Sequence, residues 1–317
     1  MNKPELIKKY FNQKEKLTLK NKVYFNQVKT YLTNSLADDL GDKGDITSNA
    51  LIKDNPKAKA VIIAKQSGIL AGIEEIVWFA KNYPDFLSQE NRGSSIPPQR
   101  NRDKIHGIKY KTDGQQIKRG DKILTITGGV KDILKIERTI LNLLQRMSGI
   151  ATETNKLIRK TKNKTLICST RKTPLGLLDK KAVTVGGGGT HRLGLYDWIL
   201  VKDNHLKISN FKFQISKRFW EIEVDTEKQA LKFAKFNPGA IMFDNLSPRQ
   251  IKNIIKILNP SAKLRANKYK PNIIFEASGG INEKNIAEYS KTGVDVISIG
   301  YLTHSAKALD LSLEIKK

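Results

Sequence analysis

Cysteine, aromatic residues and long apolar runs are scarce in this chain. A single cysteine, Cys168, occurs in 317 residues, which excludes a disulfide framework. It lies in an apolar run at 165–169 that is typical of a strand, so we expect a buried core residue rather than a nucleophile. No run of eighteen or more apolar residues occurs, and residues 1–20 are charged throughout, which argues against a membrane helix or a signal peptide. We therefore expect a cytoplasmic protein with no membrane partner.

Acidic residues are also few, since 31 Asp and Glu oppose 57 Lys and Arg and leave a formal net charge of +26. An excess of this kind can bind nucleic acid through its phosphates. The lysines are spread over the whole chain, however, and the basic segments lack interleaved aromatic residues and the spacing of a zinc finger or helix-turn-helix. We expect no nucleic-acid partner, and a module that binds DNA or RNA in a salt-sensitive way is the alternative. The cations between residues 138 and 205 indicate acidic small-molecule ligands.

The length and an apolar content of 39% are sufficient for two domains. Before about residue 130, a helical opening is followed by short strands such as Ala58 to Ala64 and Lys122 to Ile126, with glycine turns between them. This pattern predicts an α+β domain over residues 1–130. Within it, the polar segment Ser88 to Asp103 predicts a surface loop.

From residue 131 the pattern becomes one of strands that alternate with helices. A helix with Asp132 as its N-cap comes first, because Ile133, Ile136 and Ile140 recur at helical spacing. Alternation of this kind predicts a parallel sheet, and six units in series favour a closed or nearly closed βα barrel over residues 131–302. A doubly wound open sheet is the alternative. The six predicted strands are Thr165 to Ser169, Trp198 to Val201, Glu221 to Val224, Ala240 to Phe243, Ile273 to Ala277 and Val294 to Ile299. Helices are predicted in most of the intervals between them, for example at Thr226 to Phe236, Pro248 to Leu258 and Asn282 to Thr292.

Chemically capable residues follow each of these strands. The carboxyl ends of parallel barrel strands meet at one mouth, where barrel enzymes carry out their chemistry. Any one of the residues could be a solvated charge or a turn residue, but their shared position predicts an active site. In chain order they are Arg171 and Lys172, Lys202, Glu223, Asp244, Ser278 to Gly280, and Gly300.

The cations suit a ligand that carries several negative charges. Arg138, Arg171 and Arg192 offer planar guanidinium groups that match carboxylates or phosphates. Lys172 and Lys202 act as compact point charges. Together they fit a dianion and a pyrophosphate.

The remaining groups suit a sugar phosphate. Glu223 and Asp244 fit sugar hydroxyls, a Mg²⁺ ion or a developing carbocation. Ser278-Gly279-Gly280 and Gly300-Tyr301 follow the last two strands, where barrel proteins commonly bind a phosphate through backbone N–H groups.

These residues stand in motifs that resemble those of quinolinate phosphoribosyltransferases. The segment Asp39-Leu40-Gly41 with Gly44-Asp45-Ile46-Thr47-Ser48 resembles the opening of the family, so the resemblance covers nearly the whole chain. The other motifs are Glu137-Arg138-Thr139, Thr170-Arg171-Lys172-Thr173, Gly187-Gly188-Gly189-Thr190-His191-Arg192-Leu193-Gly194-Leu195, Leu200-Val201-Lys202-Asp203-Asn204-His205, Glu221-Ile222-Glu223-Val224, Phe243-Asp244-Asn245, Glu276-Ala277-Ser278-Gly279-Gly280-Ile281 and Gly300-Tyr301-Leu302-Thr303-His304-Ser305.

The resemblance implies a two-domain enzyme, with an N-terminal α+β sandwich and an incomplete parallel βα barrel, in which the C-terminal tail 303–317 packs on the first domain. It implies a homodimer or hexamer with a shared active site, where Arg138 reaches into the site of a neighbouring subunit. The implied reaction transfers a phosphoribosyl group from phosphoribosyl pyrophosphate to quinolinate in the presence of Mg²⁺. Pyrophosphate and carbon dioxide are released, and nicotinate mononucleotide is formed for NAD biosynthesis.

The same resemblance assigns the substrate-binding residues. Arg138, Arg171, His191 and Arg192 would hold the quinolinate carboxylates, and Thr170 is a further substrate-binding residue. For His191, capping of backbone groups in the glycine turn is the alternative role.

Four residues are assigned to catalysis: Lys172 and Lys202, near the carboxylates and the pyrophosphate, and Glu223 and Asp244, near the ribose and its Mg²⁺. The cation itself would be bound mainly through phosphoribosyl pyrophosphate. Glu221 and Asp225 share the strand face of Glu223, and the resemblance selects Glu223 among the three. The 5′-phosphate would be cradled by Ser278, Gly279, Gly280, Gly300 and Tyr301.

The chain departs from the family after Thr173, where the loop is shorter than usual and lacks an arginine, and it carries insertions at Ser88 to Asp103 and Ser261 to Asn272. Two other families on related scaffolds are alternatives. A family linked to molybdenum transport should lack the lysine at Lys202, so its presence argues against that family. A nicotinate phosphoribosyltransferase, which performs no decarboxylation, stays open as an alternative.

Overall fold

The computed structural model describes residues 1–90, 105–208, 218–259 and 272–316. Most of the two insertions noted above lies outside these ranges. The helices are α1 (Lys3–Phe11), α2 (Lys22–Leu40), α3 (Ile46–Leu51), α4 (Ile73–Glu90), α5 (Val130–Lys160), α6 (Leu177–Val185), α7 (Asp203–Ile208), α8 (Glu227–Ala234), α9 (Pro248–Leu258), α10 (Ile286–Tyr289) and α11 (Tyr301–His304). The strands are β1 (Lys57–Ala64), β2 (Gly68–Ile69), β3 (His106–Lys109), β4 (Gln116–Ile117), β5 (Lys122–Gly129), β6 (Leu166–Ser169), β7 (Ile199–Val201), β8 (Trp220–Val224), β9 (Ala240–Asp244), β10 (Ile274–Ser278), β11 (Val296–Ile299) and β12 (Leu311–Lys316).

The chain divides into two compact units that interleave in sequence. The first unit holds residues 1–15, 153–176 and 187–305, and the second holds 16–152, 177–186 and 306–317. The units thus differ from a division at residue 130, because α1 groups with the barrel strands while α6 groups with the second unit. Among the helices of the described ranges, none combines the length and the apolar content that a membrane crossing needs.

The first unit is built on a six-stranded parallel sheet in the order β6-β11-β10-β9-β8-β7. Strands β7 to β11 are neighbours in chain order, and the last of them pairs with β6, the first. A parallel bridge between Cys168 and Gly189 extends the β6 edge. The sheet therefore curls into a barrel that is incomplete between Gly189 and β7, which confirms the predicted α/β fold. The doubly wound alternative is wrong, because such a sheet reverses its strand order.

The end of helix α1 contacts the loop at the gap in this barrel. The Phe11 carbonyl oxygen accepts hydrogen bonds from the backbone N–H groups of Thr190 at 2.7 Å and His191 at 3.1 Å. The Gln13 side-chain amide donates to Asp197 Oδ2 at 2.5 Å, and that oxygen also accepts from Leu193 N–H at 2.9 Å. The end of α1 thereby fixes the loop between Gly189 and β7, which carries part of the predicted site.

Side chains alternate between two cores along the barrel strands. Residues such as Ile222 and Phe243 point outward into a large cluster with helices α8 and α9. Their neighbours point inward, where Phe11 is fully buried with Met242 and Val296. The inward face is apolar at its base and becomes polar toward the carboxyl ends of the strands, so the sheet itself places the site.

The second unit contains a four-stranded antiparallel sheet in the order β12-β1-β5-β3 and the short pair β2-β4. Helix α6 belongs to it because of two side-chain interactions. The Leu177 N–H donates to Gln27 Oε1 at 2.7 Å, and Arg146 makes two 2.8 Å hydrogen bonds to the fully buried Asp179.

Local sequence signals predicted the ends of most helices and strands to within two residues of their observed positions. Helix α9 has the predicted bounds, since Ser247 forms a capping box and Pro248 occupies the first turn. Asp132, predicted as an N-cap, lies instead within the first turn of α5, where its Oδ2 accepts from Asn55 Nδ2 at 2.7 Å. The helix begins at Val130, three residues before the start that an N-cap at Asp132 predicts, because β5 runs directly into it.

Candidate active site

A pocket of about 410 Å³ lies at the carboxyl ends of the barrel strands of the first unit. It brings together nine of the residues that the sequence assigned to the site, from six separate strand ends and loops. It also contains Leu200, Met242 and Ser298, which sequence reasoning missed because they have the pattern of ordinary inward-facing strand residues. The nine predicted residues are Thr170, Arg171, Lys172, His191, Arg192, Lys202, Glu223, Asp244 and Ser278.

Two arginines carry like charges into this pocket. Arg192 is almost fully buried, and its Nε lacks a hydrogen-bond partner in the described part of the chain. Burial lowers the pKa of the Arg192 guanidinium, and the charge of Arg171 lowers it further. Burial of Arg192 next to a like charge is unfavourable, and an anion bound between the two guanidinium groups would offset this cost beyond what the nearby carboxylates do. The arrangement is therefore suited to a ligand with carboxylate or phosphate oxygens.

An ion pair also lines the pocket. Lys202 Nζ contacts Glu223 Oε2, with the carboxylate mostly buried and the ammonium partly exposed. The Lys202 backbone N–H donates to His205 Nδ1 at 2.9 Å, which fixes the turn after β7. His205 thus orients a neighbouring loop from outside the pocket lining.

Asp244 and the glycine turn after β10 are joined through Asn245. The Asn245 N–H donates to the Ser278 carbonyl at 2.9 Å, and its side-chain amide donates to Asp244 Oδ2 at 2.8 Å. Gly279 and Gly280 both adopt left-handed φ angles, +85° and +63°. They are absent from the pocket lining but follow directly on Ser278, which belongs to it.

The segment after β11 meets the loop after β6. Thr303 Oγ1 donates to the Lys172 carbonyl at 2.7 Å, and a Cβ added at Gly300 would lie 3.5 Å from Lys172 Cδ. Tyr301 donates its hydroxyl to Glu153 Oε1 at 3.0 Å, so burial and this carboxylate raise the pKa of the tyrosine. Gly300 and Tyr301 therefore adjoin the pocket through Lys172 without lining it.

Arg138 is the one predicted site residue that belongs to the second unit. It is exposed on α5 and does not line the pocket.

Below the pocket lies a group of three buried side chains that sequence reasoning did not identify as a unit. His191 Nε2 is 3.2 Å from Glu276 Oε2 and 3.4 Å from Glu221 Oε2, and both carboxylates are inaccessible to solvent. The only signal in the sequence is the alternation that puts Glu221 on the same strand face as Glu223. The pairing with Glu276 depends on the order of the strands.

Carboxylate oxygens available to a hard cation lie in the pocket itself. Glu223 and Asp244 stand on the adjacent strands β8 and β9. Mg²⁺ prefers oxygen ligands and commonly arrives with substrate phosphates. The donor set thus fits Mg²⁺ that enters with a phosphorylated ligand.

Comparison with known proteins agrees with this geometry. Residues 45–148 match the family model "Quinolinate phosphoribosyl transferase, N-terminal domain", and residues 150–314 match the corresponding C-terminal domain. A Methanocaldococcus jannaschii protein named "Probable nicotinate-nucleotide pyrophosphorylase (carboxylating)" is 40% identical over 300 residues, 90% of this chain and 95% of the relative. A Bacillus subtilis protein of the same name is 35% identical over 301 residues, 91% of this chain and 93% of the relative.

A crystal structure of nicotinate-nucleotide pyrophosphorylase from Ehrlichia chaffeensis superposes with a TM-score of 0.75 at 30% identity, and covers 91% of this chain and 98% of the other. The two family models together span nearly all of the chain from residue 45 onward. This chain belongs to the quinolinate phosphoribosyltransferase family.

Proposed function

We propose that the protein transfers the phosphoribosyl group of phosphoribosyl pyrophosphate to the ring nitrogen of quinolinate, with decarboxylation, and so forms nicotinate mononucleotide for NAD biosynthesis. The observation that carries the proposal is the convergence of Arg171 and Arg192 in one pocket, with the buried Arg192 Nε lacking a partner within the described ranges. Quinolinate is a dianion, and its carboxylates would relieve the repulsion between the two guanidinium groups.

Quinolinate is bound in this proposal by the cationic side of the pocket. Arg171 and Arg192 each present a fork of N–H donors that matches a carboxylate, and His191 lines the pocket beside them. Lys172 adds a point charge, and Thr170 fixes its loop, since Thr170 Oγ1 accepts from the Lys172 N–H at 3.1 Å.

The ribose lies toward the acidic side. Positive charge develops on the ribose as pyrophosphate departs, and Glu223 and Asp244 provide a preorganised negative field for it. Lys202, paired with Glu223, is placed to meet the leaving pyrophosphate. Mg²⁺ would neutralise charge on the pyrophosphate, to which it is mainly bound, with Glu223 and Asp244 nearby.

The 5′-phosphate is assigned to the turns after the last two strands. Ser278, Gly279 and Gly280 form one turn, and Gly300 and Tyr301 begin the other. Their backbone N–H groups serve as donors to the phosphate, which is how barrel proteins commonly bind this group.

Decarboxylation needs no further catalytic base. Once the ring nitrogen carries the ribose it is positively charged, and this charge stabilises the electron pair that stays on the adjacent carbon when carbon dioxide leaves. That carbon then takes a proton from water. The protein's task is to release that carboxylate from its cationic partners while the other carboxylate stays bound.

The proposal includes a homo-oligomer, a dimer or a hexamer, in which Arg138 of one subunit completes the site of another. Its support is that Arg138 is exposed and is not among the residues that line the pocket of the first unit. Mixing inactive Arg138→Ala and Arg171→Ala proteins tests it. With shared sites in a symmetric dimer, random exchange of subunits restores roughly one quarter of the sites. No recovery after verified exchange would contradict sharing.

A cytoplasmic location and the absence of a nucleic-acid partner also belong to the proposal. Fractionation of cells tests the first. Binding of DNA and RNA across a salt series tests the second, and tight salt-dependent binding would contradict it.

The activity is tested by incubating the protein with Mg²⁺, phosphoribosyl pyrophosphate and either quinolinate or nicotinate, while pyrophosphate, carbon dioxide and nucleotide are followed. We expect product and carbon dioxide from quinolinate only. Arg171→Ala should lower kcat/KM by at least about 100-fold, because a charge-assisted, two-pronged contact is lost. Lys20→Ala is the control. It alters an exposed residue far from Arg171 in the sequence and should have no effect. Wild-type activity in Arg171→Ala would refute the assignment.

A further inference from the structure

Two glutamates form a layer below the pocket, inside the barrel of the first unit. On β8, Glu223 lines the pocket, and Glu221, on the same strand face, is fully buried. On β10, likewise, Ser278 lines the pocket, and Glu276, on the same strand face, is fully buried. Strand β9 pairs with both strands and places the small Ala240 opposite Glu221. Two carboxyl groups with no access to water therefore lie directly beneath the substrate pocket.

His191 joins this layer to the pocket. The residue lines the pocket, yet its Nε2 is buried and lies 3.2 Å from Glu276 Oε2 and 3.4 Å from Glu221 Oε2. The contacts have ion-pair distances without hydrogen-bond geometry. The backbone is held in place, since His191 adopts φ +49° and donates its N–H to the Phe11 carbonyl at 3.1 Å. The left-handed conformation is uncommon for a residue with a side chain and marks an imposed orientation.

The position of Nε2 determines what the other ring nitrogen can do. An Nε2 that faces an ionised carboxylate carries a proton, since its lone pair would otherwise meet the negative charge. In a neutral imidazole the second nitrogen, Nδ1, would then present a lone pair, which repels a carboxylate. Only an imidazolium has a proton on both nitrogens, so only the charged ring can donate from Nδ1 to a carboxylate ligand.

The charges around the ring favour this protonated form. Burial alone would lower the pKa of His191, but the charge of Glu276 and the proximity of Glu221 outweigh it and raise the pKa to about 9. Burial and the neighbouring Glu276 raise the pKa of Glu221 to about 8. For Glu276, burial opposes ionisation, but the charge of His191 more than compensates and lowers the pKa of the carboxyl. These directions favour a cluster in which His191 is an imidazolium and Glu276 is ionised.

Among the described residues, the other groups packed against His191 are aromatic or apolar, with the exception of Arg192. Phe11 of α1 meets the imidazole edge-on at 5.3 Å between ring centroids, and the Trp198 ring lies at 4.9 Å. Arg192, the next residue, interacts with Glu221 and so adds a second positive charge to the same carboxyl group. Cys168 of β6 is buried in the same inner core.

We propose that Glu276, together with Glu221, is a positioning residue that keeps His191 as an imidazolium with Nδ1–H available to a quinolinate carboxylate. The role rests on the proposed function for its substrate, but the charged state of the ring is a property of the protein alone. Neither glutamate touches the substrate in this proposal; both act through His191.

The charged state can be measured without substrate. The chain has four histidines, so the ¹³C and ¹⁵N imidazole resonances of labelled full-length protein can be assigned by the loss of one set in His191→Asn. In the wild type, the pKa of His191 should lie near 9. Glu276→Gln keeps the size of the side chain and removes its charge, and should lower that pKa to about 7, the size of effect expected from loss of a close counter-charge. Glu288→Gln, at an exposed position on α10, is the matched control and should leave it unchanged.

In the kinetics, loss of the Glu276 charge should change KM for quinolinate and leave KM for phosphoribosyl pyrophosphate unchanged. At pH 8, Glu276→Gln should raise KM for quinolinate about tenfold, because only about a tenth of the His191 rings remain protonated when the pKa is near 7. At pH 6 the difference should largely disappear, while KM for phosphoribosyl pyrophosphate stays the same at both pH values. Glu276→Asp retains the charge and should retain the pH dependence of the wild type.

Both experiments, the NMR titration and the kinetics, have an outcome that contradicts the proposal. A wild-type His191 pKa near 6.5 contradicts the charged ring. An unchanged His191 pKa both in Glu276→Gln and in the double variant Glu221→Gln/Glu276→Gln contradicts the role of the two glutamates. A lowered pKa with unchanged KM for quinolinate contradicts the positioning role. Because the three groups lie within 4.8 Å of one another, Zn²⁺ should also be added to the wild type, and stoichiometric binding that removes the His191 proton would make this a metal site instead. If quinolinate is not turned over at all, the proposed function fails while the NMR result still decides the state of the ring.

Discussion

Replacing Phe11 by alanine tests whether the N-terminal helix supports the active site. The Phe11 side chain is inaccessible to solvent and lies in the inner barrel core. Its ring is 5.4 Å from Trp198, 6.1 Å from Phe219 and 5.3 Å from His191, measured between centroids. Removing it leaves a cavity that these large rings can fill only in part, so we expect a loss of about 3–5 kcal/mol in the free energy of unfolding.

The assay is chemical and thermal denaturation of the full chain. A loss of this size lowers Tm by about 6–20 °C, at about 2–4 °C for each kcal/mol in a chain of this size class. Phe11→Leu keeps most of the apolar volume and should lose only about 1.5 kcal/mol or less. Lys8→Ala, on the exposed side of the same helix, should stay within about 0.5 kcal/mol of the wild type.

The variant should also affect substrate binding at temperatures where it is folded. Phe11 presents its carbonyl to Thr190 and His191, so displacement of the helix end loosens the histidine. KM for quinolinate should rise more than KM for phosphoribosyl pyrophosphate. If Phe11→Ala melts at the same temperature as Lys8→Ala, the reasoning that places this ring in the barrel core is refuted.

Two further predictions concern the phosphate turn and a buried acid of the second unit. A Cβ at Gly279 would meet the Asn245 side chain and, at 2.7 Å, its backbone nitrogen, whereas one at Gly280 has nothing within 4 Å. In steady-state kinetics Gly279→Ala should therefore raise KM for phosphoribosyl pyrophosphate at least about tenfold, because the turn must shift. Gly280→Ala should raise this KM less, although left-handed strain should lower its free energy of unfolding by about 1–2 kcal/mol. Equal effects on KM would contradict the assignment. Burial and, to a smaller extent, the nearby Glu75 raise the pKa of Asp113 from 3.8 to about 7. The fold therefore favours the protonated carboxyl, and the free energy of unfolding falls as the pH rises from 3.8 to about 7. Asp113→Asn retains an oxygen that accepts from the Ile73 N–H. Measured by denaturation, it should stabilise the protein by up to about 4 kcal/mol at pH 8 and by nothing at pH 3.5. A gain that is independent of pH would contradict the raised pKa of Asp113 as its cause.

Much of the fold could be predicted because its signals are local. The barrel strands were found within two residues, since inward and outward positions alternate over short apolar runs that glycine and polar residues interrupt. The site residues were found for a related reason. They follow the strands directly, and parallel strands bring those ends together whatever the details of packing.

Other features could not be predicted from spacing. Helix α1 was assigned to the first domain by its place in the chain, whereas Phe11 and Gln13 attach it to the barrel through residues far along the sequence. The predicted helix Asn282 to Thr292 is reduced to α10, Ile286–Tyr289. Periodicity reports which face of a segment is apolar, and it carries no information on which other segment covers that face.

The sequence alone determined the elements, the cationic and acidic residues at the strand ends and, through its motifs, the family. These depend on backbone preferences and side-chain chemistry within a few residues. Only the tertiary structure decided that Glu221 and Glu276 meet at His191, and that Arg192 is buried beside Arg171. The reason is that charge states and desolvation depend on distances across neighbouring strands, which the curl of the sheet sets and no local pattern records.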